Sequence, residues 1–161
     1  MTVQSIAELI THHAFFAGMR PEWLELIADC GRNVVFRPGE VIAREGDRCE
    51  AFYALRRGRV AVELYAPGVG ARTIQTLGDG AILGWSWLFP PYLWKFDLRA
   101  VETTHAVHFD TSCLLPKCES SPEMGYDFMR RFSGVMSDRL EATRLQLLDV
   151  YGRPEGTHGT A

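Results

Sequence analysis

The chain has 161 residues, of which 47% are hydrophobic and 23% are charged, and its formal net charge is −3. This length is enough for one domain with a buried core, and the aromatic content of 11% argues against a disordered chain. The acidic balance gives no long-range attraction to nucleic acid or to anionic lipid. The sequence contains neither an apolar run of membrane-spanning length nor a signal peptide. We therefore expect a cytoplasmic protein that does not bind a membrane.

The cysteines and histidines give no pattern of a metal centre or a catalytic group. The cysteines, which we predict to be free or buried thiols in a reducing compartment, have no CxxC pair and are Cys30, Cys49, Cys113 and Cys118. His105 and His108 are three residues apart, so in a strand they would point to opposite faces and could not share a metal. His12 and His13 are adjacent, which is also a poor chelating geometry. We predict surface or hydrogen-bonded histidines, no metal site and no enzymatic activity.

The first segment, residues 1–31, is predicted to be helical. Ile6, Leu9 and Ile10 recur at helical spacing. Pro21 opens a second helix, which Gly31 ends.

The second segment, residues 32–111, has the period of β-strands. Val60, Val62 and Leu64 alternate with other residues, as in a half-buried strand, and glycines divide the segment into short runs. Many short strands separated by turns are typical of a jelly roll. We therefore predict a mainly β fold, a β jelly roll (double-stranded β-helix) with helices on both sides in the chain.

The third segment, residues 112–152, returns to the helical period. Pro122 is placed at the first helical position, and the pattern continues to Tyr151 before Gly152 ends it. Gly134 lowers helix propensity by about 1 kcal/mol relative to alanine, so the sequence leaves open whether the helix is continuous there. An apolar stripe steps along the helix by three or four residues and comprises Met129, Phe132, Met136, Leu140, Thr143, Leu147 and Val150. Residues 153–161 are predicted to form a tail, and all segments to form one domain.

The run FRPGEVIAREGDRCEAFYALRRGRVAVEL, residues 36–64, resembles the cyclic-nucleotide-binding domain of the catabolite-activator (Crp/Fnr) superfamily. The resemblance extends over roughly residues 15–150, judged by the order of helices, roll and long helix. The matching positions are Gly39, Gly46, Asp47, Tyr53 and Gly58. The resemblance implies the jelly-roll fold, with cyclic AMP or cyclic GMP as the ligand.

The phosphate-binding cassette of that superfamily is altered here, between residues 80 and 99. In the superfamily, a Gly-Glu pair opens a short helix whose amides hold the cyclic phosphate, and an Arg about ten residues later neutralises it. In this chain Gly84 keeps the glycine position, and Trp85 replaces the Glu. The Arg position falls at either Trp94 or Lys95. The ligand site that the resemblance implies comprises Leu83, Gly84, Trp85, Ser86, Trp87, Trp94 and Lys95.

The aromatic residues of the cassette allow two interpretations. Trp85, Trp87 and Trp94 would either stack on a base or line a pocket for another ligand. Alternatively, they fill a pocket that has lost its ligand and become part of the core. The amides near Gly84 and Ser86, together with the charge of Lys95, would still suit an anion.

The long helix carries a second feature of the superfamily, in which it pairs with its twin across a dimer axis and brings polar side chains to the ligand. Arg139 and Thr143, in the segment DRLEATRL, resemble those polar positions. The alternative is that Thr143 is only a tolerated, partly exposed residue of the stripe. We predict a homodimer formed through this helix.

These features predict a stand-alone regulatory module that senses a small ligand and signals through its dimer or an unidentified partner protein. The winged helix-turn-helix that follows the long helix in transcription factors of the superfamily is not expected here, so direct DNA binding is not expected either. The alternative function is a degenerate, ligand-free interaction module whose pocket is filled by its own tryptophans.

Overall fold

The computed structural model describes residues 3–152, and the chain divides between Tyr126 and Asp127 into two compact units. The first unit contains two N-terminal helices, two β-sheets and a third helix. The described part of the second unit is the greater part of a long helix.

Two short helices and a 3₁₀ turn begin the first unit, as the sequence predicts. Helix α1 (Ile6–Thr11) begins at a capping box, in which the Ser5 hydroxyl accepts a hydrogen bond from the Glu8 amide at 3.2 Å and the Glu8 carboxylate accepts one from the Ser5 amide at 2.8 Å. The 3₁₀ turn spans Ala14–Phe16. Helix α2 (Pro21–Ala28) has Pro21 at its first position, where the missing amide hydrogen costs nothing.

Within residues 3–152, eight antiparallel strands form two four-stranded sheets, which confirms the predicted mainly β jelly roll. The first sheet has the order β1-β8-β3-β6 and the second has the order β2-β7-β4-β5. The strands are β1 (Gly31–Phe36), β2 (Val41–Ala43), β3 (Ala51–Arg57), β4 (Val60–Ala66), β5 (Gly70–Leu77), β6 (Ile82–Leu83), β7 (Asp97–Ala100) and β8 (Thr104–Asp110).

An aromatic cluster covers one face of the first sheet. Phe52 of β3 stacks on Phe109 of β8 with ring centroids 4.7 Å apart, and Phe16 lies 5.6 Å from Phe109. Phe15 also contacts Phe52. Because side chains alternate along a strand, the neighbouring residue Tyr53 points to the opposite face of the sheet. The N-terminal turn therefore packs on one face, and the other face lines the interior of the roll.

Helix α3 (Thr111–Ser120) follows β8 and is linked to the turn between α2 and β1 by a disulfide between Cys30 and Cys113, whose Cα atoms are 5.6 Å apart. The prediction of free thiols is wrong for these two residues, which are 83 positions apart in the chain. Strands β1 and β8 pair in a register that places Gly31 opposite Phe109. This register brings the residues just outside the two strands together. Cys49 and Cys118 are free thiols.

Helix α4 (Pro122–Tyr151) has the predicted bounds and is continuous through Gly134. In the second unit, Phe128 and Phe132 are buried and contact each other edge to face, with centroids 5.2 Å apart. The predicted tail, residues 153–161, lies outside the described residues. None of the helices within residues 3–152 combines the length and the apolarity that crossing a membrane requires.

Candidate functional site

The cassette begins where β6 leaves the edge of the first sheet. Leu83, the last residue of β6, is buried and pairs with Tyr53 of β3. Gly84 follows with φ of +95°, a left-handed conformation that favours glycine. Half-buried Trp85 then precedes a 3₁₀ turn at Ser86–Leu88, which replaces the short helix of the superfamily. The cassette therefore keeps its backbone corner but has a shorter amide-bearing turn.

The indole of Trp94 covers the glycine of the cassette. A Cβ atom added to Gly84 would lie 2.5 Å from Cη2 of Trp94, and the Trp94 side chain is buried. The Trp94 backbone is fixed by two hydrogen bonds of 2.9 Å, one donated to the Asp47 carbonyl and one accepted from the Gly46 amide. Lys95 is exposed. Of the two candidates for the Arg position, Trp94 is thus the one that faces Gly84.

The other residues of the turn are directed into the protein. Trp87 is 3% exposed and stacks on Phe52 at 5.8 Å, so it belongs to the aromatic cluster on the far face of the first sheet. Buried Ser86 and Trp87 both form backbone hydrogen bonds with the Cys49 sulfur. Burial raises the pKa of the Cys49 thiol to about 11, and hydrogen bonds with the backbone of Ala51, Trp87 and Ser86 oppose this shift. The thiol itself donates to the Ala51 carbonyl at 3.5 Å. Cys49 is therefore a neutral thiol, and its sulfur accepts hydrogen bonds from the backbone amides of the turn.

A cavity of about 430 Å³ remains between the two sheets beside Trp94. Its size is within the range of small-molecule sites. Strand β2 and the loop after it contribute Arg44, Asp47 and Arg48, and the first sheet contributes Tyr53 and His108. The lining carries charges of both signs, because Glu50 and Asp110 also line the cavity. Arg48 forms an ion pair with Glu50 at 2.7 Å.

His108, which lines this cavity, has a buried ring nitrogen that forms no hydrogen bond within residues 3–152. Its Nδ1 atom forms no hydrogen bond with any described residue, and its ring lies 5.2 Å from that of Tyr53. Burial and the nearby Arg32 lower the pKa of His108, whereas Asp110 opposes the shift. A neutral imidazole can donate through one nitrogen and accept through the other. His108 therefore lines the space between the sheets, and its unused nitrogen would reach a ligand there only after the imidazole ring turns.

The two remaining predicted site residues belong to the second unit. Thr143 is exposed, and its hydroxyl donates a hydrogen bond of 2.9 Å to the backbone carbonyl of Arg139 one turn earlier. Burial lowers the pKa of Arg139 to about 10, with the Asp138 carboxylate opposing the shift. The contribution of these two residues to a ligand site stays a prediction of the resemblance.

Of the described residues that line the cavity, the sequence had singled out only Trp94 as a site residue, and those it missed include Arg44, Arg48 and His108. The alternation of β8 contains a usable signal for His108, because Ala106 and His108 share one strand face while Val107 and Phe109 share the other. The two arginines give no such signal, since they lie in an exposed loop after a three-residue strand.

The two-sheet roll and the glycine corner define the fold of the cyclic nucleotide-binding domains. The chain belongs to the cyclic nucleotide-binding domain family, whose pattern matches residues 33–121, more than half of the sequence. The family consists of regulatory domains that are generally not enzymes.

Solved structures share this fold at low sequence identity. A cyclic nucleotide-binding domain from Methylobacillus flagellatus KT is 18% identical, with a TM-score of 0.77 over 95% of this chain and 85% of that one. A putative cyclic nucleotide-binding protein from Geobacter metallireducens GS-15 is 24% identical, with a TM-score of 0.72 over 86% of this chain and 99% of that one. The catabolite activator protein of Thermus thermophilus is 23% identical, with a TM-score of 0.66 over 86% of this chain and 62% of that one. No curated protein matches the chain.

Proposed function

We propose that this protein is a ligand-sensing regulatory module whose small polar ligand occupies the cavity between the sheets. The observation that carries the proposal is the cavity itself, which is lined by His108, Tyr53 and two arginines, with the nitrogen Nδ1 of His108 buried behind its wall and without a partner among the described residues. A buried polar atom without a hydrogen bond costs about 1–3 kcal/mol, so a ligand that supplies the bond gains affinity from it. Arg44, which is exposed at the same cavity, would pair with an anionic group of the ligand.

The ligand would not be held as the superfamily holds a cyclic phosphate. The Trp94 indole lies against Gly84. It therefore occupies the place beside the cassette backbone that a bound phosphate would take. Ser86 and Trp87 also direct backbone hydrogen bonds to Cys49. We therefore expect cyclic AMP and cyclic GMP to bind weakly, and a different polar molecule to be the physiological ligand.

A titration that follows tryptophan fluorescence tests this function. Trp94 lines the cavity, so an occupied cavity will change its emission. The probes are cyclic AMP, cyclic GMP and a panel of small phosphorylated and carboxylated metabolites. We expect a saturable change with a panel member and a loss of that change in His108→Phe, which removes the unpartnered nitrogen. The control is Tyr65→Phe, at an exposed residue of β4 that does not line the cavity.

A second candidate function, a ligand-free interaction module, is favoured by the contact between Trp94 and Gly84. It differs from sensing in two measurable ways. No member of the panel would change the fluorescence, and His108→Phe would raise the free energy of unfolding because it removes an unsatisfied buried nitrogen. Tight binding of a cyclic nucleotide by the wild type would instead contradict the inference that the Trp94 indole blocks the phosphate position of the cassette.

A reconstructed cassette tests which residue takes the place of the superfamily Arg. The double variant Trp85→Glu/Trp94→Arg restores both side chains at Gly84, and we expect it to gain cyclic nucleotide binding. The control Trp85→Glu/Lys95→Arg places the guanidinium at the exposed neighbouring position and should gain little. The reverse order of affinities would assign the Arg position to Lys95.

A further inference from the structure

A second and larger cavity, of about 640 Å³, lies on the other face of the first sheet. Helix α1 and the residues after it form one side, with His12 exposed there. Strand β3, strand β8 and the turn before β6 form the rest. None of its lining residues belongs to the inter-sheet cavity. We name this second cavity the α1 groove.

Two adjacent arginines line the α1 groove because the strand that carries them is irregular. Consecutive residues of a regular strand point to opposite faces. The register between β3 and β8 shifts between Leu55 and Arg57, and Arg56 and Arg57 both line the groove. A bulge of this kind redirects a side chain. The register also pairs Arg57 with His105, which lines the groove as well.

The positive charge of the α1 groove is not neutralised by the protein. Among residues 3–152 neither Arg56 nor Arg57 forms an ion pair, and Arg56 contacts only the neutral Asn33 amide oxygen, at 3.4 Å. Asp79 is the acidic residue of the lining, and its carboxylate accepts a 2.8 Å hydrogen bond from the Gly58 amide. Two guanidinium groups face one engaged carboxylate, so the groove is positive even when its histidines are neutral.

The walls of the α1 groove are held in place by one carbonyl. The Leu55 carbonyl accepts a hydrogen bond of 2.8 Å from Nε2 of His13 and another of 3.0 Å from the Gly80 amide. Nδ1 of His13 accepts from the Phe15 amide at 3.2 Å, so both ring nitrogens of this buried histidine are used. The segment after α1, strand β3 and the turn before β6 are thereby joined, and the groove needs little rearrangement to receive a ligand.

We propose that the α1 groove is a second binding site, specific for a small organic molecule that carries a phosphate or carboxylate group. Arg56 and Arg57 bind the anionic group, since a guanidinium donates paired hydrogen bonds to either oxyanion. Leu9 and Ala14 give the groove an apolar part for the remainder of the molecule. This site is independent of the inter-sheet cavity and of the function proposed for it.

Amide chemical shifts of the ¹⁵N-labelled protein test the α1 groove, with pyrophosphate and citrate as separate probes at constant ionic strength. We expect saturable shifts at His12, Arg57 and Gly80 with at least one probe. The probe that saturates identifies phosphate or carboxylate as the preferred group. The variant Arg56→Ala/Arg57→Ala should weaken binding about tenfold or more, because it removes two charge-assisted contacts.

Two controls make the result specific. Arg56→Lys/Arg57→Lys keeps the charge but loses the paired donors, so its affinity should lie between those of the wild type and the alanine variant. Arg72→Ala removes an exposed arginine of β5 outside the groove and should bind as the wild type does. The proposal is overturned if neither probe saturates at millimolar concentration, or if the alanine variant binds as tightly as the wild type. Both arginines are exposed, so the variants should remain folded.

Discussion

At the scale of single residues, the close approach of Trp94 to Gly84 determines what the cassette can accept. A methyl group at position 84 would collide with the indole, and the φ of +95° would strain any L-residue there. We expect Gly84→Ala to lower the free energy of unfolding by more than the roughly 1–2 kcal/mol of a left-handed alanine. Trp94→Ala should cost about 3–5 kcal/mol, as deletion of a buried aromatic side chain does.

A double-mutant cycle separates the collision from the backbone strain. In the Trp94→Ala background, Gly84→Ala should cost only the backbone strain and the milder contact with the Ala51 carbonyl oxygen, 3.3 Å from the added Cβ, because the indole is gone. Gly39→Ala is the matched control, since Gly39 has φ of +83° and no atom within 4 Å of an added Cβ. Urea denaturation of the variants gives the coupling energy. Additive effects of the two substitutions would contradict the contact.

His13 gives the protein a dependence of stability on pH. Burial lowers the pKa of His13, and the hydrogen bond to the Leu55 carbonyl opposes the shift. The folded state therefore binds fewer protons than the unfolded state as the pH falls through the unfolded pKa of about 6.5. The free energy of unfolding should decrease below that pH, by at most about 1.4 kcal/mol per pH unit for this one group.

The variant His13→Gln tests this dependence, because the amide keeps a donor and an acceptor but does not titrate. Urea denaturation at a series of pH values should give a shallower decrease for the variant than for the wild type. His108, whose pKa burial also lowers, contributes to the decrease that remains. Measurements near pH 8, where both histidines are neutral, give the cost of the substitution itself. Equal pH slopes for the two proteins would contradict the assignment to His13.

The sequence predicted part of the candidate site. The replacement of Glu by Trp85 next to Gly84 could be read directly, because it needs only the alignment of one short motif. Which tryptophan covers the glycine could not be predicted, since it depends on hydrogen bonds that Gly46 and Asp47 make with the Trp94 backbone. Trp87 is also a tryptophan of the cassette, so the sequence does not distinguish it from Trp94, but it packs on Phe52 and not on Gly84.

At the scale of elements, local signals were sufficient for the helices but not for the cross-links between them. Pro122 and Gly152 mark the ends of α4 because proline suits the first helical turn and glycine ends a helix. The pairing of Cys30 with Cys113 has no such local signal, because it follows from the register of β1 on β8. Long-range strand pairing is the information that a single sequence does not supply.

The disulfide between Cys30, which follows α2, and Cys113 of α3 should raise the free energy of unfolding. It closes a loop between residues 83 positions apart, and disulfides typically stabilise by about 2–4 kcal/mol, chiefly through the unfolded state. We expect reductant to lower the free energy of unfolding of the wild type by that amount in urea. Alkylation of the denatured, unreduced protein should label Cys49 and Cys118 alone, as mass spectrometry can determine.

Two variants show whether the effect of reductant belongs to this disulfide. Cys30→Ser/Cys113→Ser should be destabilised in advance and insensitive to reductant. Cys118→Ser, which removes a free thiol, should respond to reductant as the wild type does. Labelling of all the cysteines without reduction would contradict the disulfide.

At the scale of the whole molecule, the exposed apolar stripe of α4 is what a homodimer would cover. The C-terminal half of the stripe is exposed, although the same stripe includes buried Phe132. The exposed fractions are 53% for Leu140, 52% for Leu147 and 72% for Val150. Apolar side chains at this spacing form the contact face of paired helices. We propose that two copies of the chain associate through this half of α4, as the resemblance to the superfamily implies.

Substitution within the stripe tests this association, with sedimentation equilibrium as the measurement. The wild type should sediment as a dimer and Leu140→Asp/Leu147→Asp as a monomer with an unchanged circular dichroism spectrum. A twofold interface places each substitution in the contact twice. Burial of a leucine contributes about 1.5–3 kcal/mol, so the dimer should weaken at least about a hundredfold. Ser137→Asp adds a charge at an exposed polar position of α4 and should leave the dimer intact. A wild type that stays monomeric at every concentration would contradict the proposal, and any signal would then have to pass through another protein.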